Sequence, residues 1–132
     1  MTLSSPPLLV ALGTHAELSD FIADAATESG FEALSVCGHD AVGLRVATAA
    51  ADVLVLDTDT ARRELAAMPA PESSEDAPVV VLLVSPDGAE AALARDVIAT
   101  RGMRIVATVQ APLVEETLLR ALATARADVG QT

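Results

Sequence analysis

Five short apolar runs recur along this chain, their starts 21 to 27 residues apart, and helix-patterned segments fill the gaps between them. The clearest are Leu8-Leu9-Val10-Ala11-Leu12, Asp52-Val53-Leu54-Val55-Leu56-Asp57 and Val79-Val80-Val81-Leu82-Leu83-Val84. Runs this short and this uniformly apolar read as strands buried on both faces, which is the environment of a parallel sheet covered by helices. Residues 31–36 alternate apolar and polar instead, as a strand nearer a sheet edge does, and residues 104–109 complete the set.

The gaps carry helical spacing. Thr14 is placed to cap a helix, with Glu17 three residues on to close a capping box. Leu18, Phe21, Ile22 and Ala25 follow at helical intervals, and Gly30 stops the segment. A second helix is expected over 40–50 and a short third over 60–68. Residues 69–78 hold three prolines, two serines and three acids, and read as an exposed loop inside the domain. A fourth helix is expected over 88–100, ended by Gly102, and a fifth over 113–126 with Leu118, Leu119 and Leu122 on its core face. The reading is one domain over 1–127 with a flexible tail over 128–132.

Five strand–helix units in series require right-handed crossovers, so helices must cover both faces of the sheet. The expected fold class is α/β: a flavodoxin-like (βα)5 three-layer sandwich around a five-stranded parallel sheet in the order 2-1-3-4-5. In such a sheet a ligand sits beyond the C-terminal ends of strands 1 and 3, where the strand order reverses. The residues at the strand ends are Gly13, Thr14 and His15; Asp57, Thr58 and Asp59; Ser85, Pro86 and Asp87; and Gln110, Ala111 and Pro112.

Charge and composition remove several function classes. A net charge of −11 over 132 residues repels phosphate backbones and anionic lipids, which argues against direct nucleic-acid or membrane binding. Two phenylalanines, with no Trp or Tyr, provide no stacking platform for bases. The single cysteine, Cys37, allows no internal disulfide, and its apolar surroundings suit an inert buried thiol. The longest apolar runs are about six residues, too short to span a bilayer. No secretory leader pattern opens the chain, so a cytoplasmic location is expected. No Gly-rich phosphate loop, metal-spaced Cys/His cluster or nucleophile–base pair is legible.

Three strand ends carry a resemblance. Asp57 closes the run Asp-Val-Leu-Val-Leu-Asp, Ser85 closes the fourth strand, and Pro112 follows the fifth. Ser85 and Ala111 lie 28 and 54 residues beyond Asp57. Over essentially the whole chain this resembles the receiver domains of two-component response regulators. The resemblance implies that Asp57 holds the place of the phosphoacceptor, Ser85 that of the switch Ser/Thr, and Pro112 that of the proline in the Lys-Pro pair.

The chain departs from that pattern where the chemistry needs charge. The family's acidic pair after strand 1 helps hold Mg²⁺, which neutralises the incoming phosphoryl oxygens. Here the place falls on Leu12-Gly13 or Gly13-Thr14, and neither contains an acid. The family lysine falls on Ala111, and all eight basic residues of this chain are arginines. The aromatic switch of the fifth strand falls on Thr108, and Asp57 is followed by Thr58-Asp59. A carboxylate at a strand end also has a plain structural use, accepting amide hydrogen bonds at the next helix start.

The reading is therefore a degenerate, non-catalytic receiver that needs no cofactor and acts through protein contacts, independently of phosphorylation. Two alternatives stand beside it: an unusual receiver, still phosphorylated at Asp57 with Mg²⁺, and a domain binding a small ligand in the same crevice. The resemblance places the contact surface on the fourth helix, fifth strand and fifth helix. Arg95, Arg101, Arg104, Glu115, Glu116 and Arg120 would present mixed charge there to a protein partner, an output domain or a second copy of the chain.

Overall fold

The computed structural model describes residues 7–13, 16–37, 51–58, 61–62, 78–84, 88–100, 102–110 and 114–129. Five strands form one parallel sheet: β1 (Leu8–Gly13), β2 (Glu32–Cys37), β3 (Val53–Asp57), β4 (Val79–Val84) and β5 (Arg104–Gln110). Their order is β2-β1-β3-β4-β5, the order expected from the rhythm of apolar runs. The described helices are α1 (Ala16–Glu28), α2 (Gly88–Thr100) and α3 (Glu115–Val129). The expected helices over 40–50 and 60–68 and the loop over 69–78 lie largely outside the described residues.

Strand alternation divides the core in two. Val10, Leu12, Leu54, Leu56, Val80 and Leu82 pack with Ala91, Ala94 and Ile98 of α2. Leu9, Ala11, Val53, Val55 and Val81 pack with Ile22, Ala25 and Ala26 of α1 and with Leu118, Leu122 and Ala125 of α3. Because the central strands are apolar on both faces, neither face can be turned to water without losing roughly 1.5–3 kcal/mol per large side chain. Alanine supplies much of the helices' share of the core: Ala25, Ala26, Ala94, Ala121 and Ala125 are buried in the two clusters.

The ends of α1 and α2 share one device. Gly30 and Gly102 adopt φ of 93° and 77°, the left-handed region that glycine enters without a Cβ penalty. The Phe31 amide then donates to the Ala26 carbonyl at 3.0 Å, and the Met103 amide to the Ile98 carbonyl at 3.1 Å. These are the six-to-one bonds of a Schellman cap. Phe31 and Met103, both buried, turn the chain into the core just before β2 and β5 begin. Neither helix has a cation in its last turn. Thr27 and Thr100 donate their hydroxyls to the Ala23 and Asp96 carbonyls there, at 3.0 and 2.7 Å.

Several boundaries differ from the sequence expectation by a residue or more, and two of them have a local cause. β2 starts one residue late, because Phe31 is drawn under α1 rather than into the ladder. α3 runs to Val129, past the expected end of the domain at 127. Asp128 is not in a frayed tail: its carboxylate accepts a 2.7 Å hydrogen bond from the Arg104 guanidinium at the start of β5.

Candidate functional site

The strand order reverses between β1 and β3, so their C-terminal ends bound the crevice where this architecture places ligands. The β1–β3 register pairs Leu12 with Leu56. One step further, Gly13 and Asp57 are the last residues of adjacent strands, about 5 Å apart by ordinary strand spacing. Asp57 is half-buried, and Thr58 after it is buried. Leu12 is buried in the α2-side core, so of the candidate residues on β1 only Gly13 stands at the rim.

The strand end also shows what β1 contributes beside Asp57. Between Gly13 and the first residue of α1, Ala16, the chain has only Thr14 and His15. The first carboxylate after β1 is Glu17, exposed within α1. A divalent cation beside Asp57 would meet a residue without a side chain on the neighbouring strand, with a backbone carbonyl but no carboxylate to offer it. Among the described residues no three His, Cys, Asp or Glu side chains come together as a metal-binding group. Thr14, Asp59, Ser85, Ala111 and Pro112 lie outside the described residues, as do His15, His39 and the side chain of Cys37.

Thr108 is exposed on β5, paired in register with Leu82. Its placement depends on an irregularity: Val80 pairs with Ile105 and Val81 with Ala107, so Val106 is an extra residue in β5. The insertion bends the edge strand and resets its alternation, so that Val109 returns to the α1–α3 core while Thr108 and Gln110 face out.

Five of the six expected contact residues lie among the described residues. Arg104 is tied to Asp128 at the N-terminal end of β5. Glu115 and Glu116 stand exposed at the start of α3, and Glu116 lies 3.6 Å from Arg120, both well solvated. Arg95 is exposed on α2, and Arg101 lies outside the described residues. Two exposed apolar residues escaped the sequence reading: Leu93 on α2 and Val114 just before α3, 54% and 52% exposed. Leu93 was discoverable. Ala91, Ala94 and Ile98 set the buried stripe of α2, and a residue two positions from Ala91 points away from it. No helix of the described residues is long and apolar enough to cross a membrane.

No protein-family model matches the sequence, and no curated protein is significantly similar to it. Solved structures are similar. A response regulator from Colwellia psychrerythraea superposes with a TM-score of 0.69 at 14% identity, over 94% of this chain and 99% of that one. The chemotaxis response regulator CheY4 of Vibrio cholerae gives 0.66 at 14% identity, over 91% and 98%. A pilus assembly-related protein from Burkholderia pseudomallei gives 0.61 at 20% identity, over 96% and 94%. Likeness at these identities is likeness of fold, and the fold of this chain is that of the response-regulator receiver domains.

Proposed function

We propose that this chain is a non-enzymatic signalling module, a degenerate receiver that works by protein contact and not by carrying a phosphoryl group. One observation carries the reading: β1 ends on Gly13 beside Asp57, and no acid occurs in the chain before Glu17 of α1. A phosphoryl group arriving at Asp57 brings negative charge to a carboxylate that is itself negative. Catalysis of that transfer is mostly positioning and charge neutralisation, by a held cation and a charge-assisted donor. The strand end opposite Asp57 supplies no carboxylate for the cation, only backbone oxygens, and a chain without lysine supplies no side-chain ammonium.

What the domain keeps is a surface. Leu93 and Val114 are exposed apolar residues, and Arg95, Arg104, Glu115, Glu116 and Arg120 are exposed charges of both signs on α2, β5 and α3. A patch with both signs is self-complementary under a two-fold axis, which suits a second copy of the chain through α2, β5 and α3. It equally suits a protein partner or a covalently attached output domain. The extra residue in β5 opposes joining by strand addition, so the contact would be made by side chains. This reading places the domain in the cytoplasm, binding no nucleic acid or membrane and using no cofactor.

The test follows one sample through two measurements. The protein is incubated with acetyl phosphate and Mg²⁺, then examined by intact mass and by light scattering at high micromolar concentration. The expected result is no phosphoryl adduct and a molar-mass distribution that phosphodonor leaves unchanged. A stoichiometric adduct that disappears in Asp57→Asn would overturn the proposal in favour of an unusual active receiver.

A further inference from the structure

We draw no further inference here: the strongest candidate, the outer face of α1 where Phe21 lies exposed among the carboxylates of Glu17, Asp20, Asp24 and Glu28, is an acidic helix face with nothing in the structure to show what covers it.

Discussion

The two edge strands of the sheet, β2 and β5, begin in the same way and then diverge. Each follows a helix that closes on a left-handed glycine, Gly30 or Gly102, and each is preceded by one buried anchor, Phe31 or Met103. From there β2 keeps a regular register with β1 through all six residues. β5 takes in the extra Val106 after its second residue and loses the simple alternation. The difference separates two tasks. The glycine and its anchor fix where a strand begins, which the fold needs at both edges. The register decides which side chains the edge shows to a partner, and only β5 has been altered in that respect.

The largest test of this symmetry removes the anchors. Phe31 packs in the cluster shared by β1, α1 and α3, whereas Met103 sits on the α2 side and is slightly more exposed. Phe31→Ala should cost about 3–5 kcal/mol, and Met103→Ala less, because a large buried aromatic leaves the larger cavity. Urea unfolding followed by circular dichroism reads both. Equal losses would mean that the two anchors are interchangeable in energy as well as in geometry.

Next come the glycines. A side chain at Gly30 or Gly102 must adopt the left-handed region, so Gly30→Ala and Gly102→Ala should each cost about 1–2 kcal/mol. At Gly30 the added Cβ would lie 3.4 Å from the Arg126 Nε, an ordinary contact, so strain in the backbone and not a clash sets the cost. Asn at either position should recover part of the loss, since Asn tolerates that conformation better than Ala. If Asn recovers nothing, the Schellman caps do not hold the helix ends as described.

These strand starts are legible in the sequence, because Gly30 and Gly102 follow helical spacing and introduce new apolar runs. The sheet order is equally legible: β3 and β4 are apolar on both faces and have no alternative placement to a buried centre. The irregularity at Val106 is not. Arg104-Ile105-Val106-Ala107-Thr108-Val109 reads the same with or without an extra residue, since small and β-branched side chains fit either face. The reach of α3 is hidden for a related reason. Asp128 near a helix C-terminus runs against the helix dipole and suggests an end, unless its partner Arg104, 24 residues away, is known. At the candidate site the missing acids and lysine can be read directly, as identities at strand ends. That Leu12 belongs to the core and only Gly13 to the rim requires the register.

Deleting Val106 tests the edge itself. The register on both sides of it is already consistent, since Ile105 and Ala107 pair with the consecutive residues Val80 and Val81. The shortened protein should fold with the same sheet and lose about 1 kcal/mol, the share of a half-buried valine. Its β5 edge, now regular, should pair more readily with another strand. Light scattering should show greater concentration-dependent association than in the parent protein. An unchanged molar mass would mean that Val106 does not guard the edge.

The smallest effect belongs to the Arg104–Asp128 pair, which ties the start of β5 to the last turn of α3. The Arg104 side chain is 67% exposed and that of Asp128 26%, so solvent screens much of their attraction. Arg104→Ala should cost under about 1 kcal/mol globally, in the range of exposed ion pairs. Its local effect should be larger than its global one. Without the guanidinium, Asp128 faces the negative end of the helix dipole with less compensation from a cation, and the last turn of α3 should fray. Hydrogen exchange at the amides of residues 126–129 should quicken in Arg104→Ala, while β3 amides keep their protection. Asp128→Ala in the same background should restore part of the protection by removing the carboxylate that opposes the dipole. Adding salt to the parent protein should move exchange in the direction of Arg104→Ala. If Arg104→Ala leaves the last turn as protected as before, the pair is a passive surface contact, and β5 differs from β2 through Val106 alone.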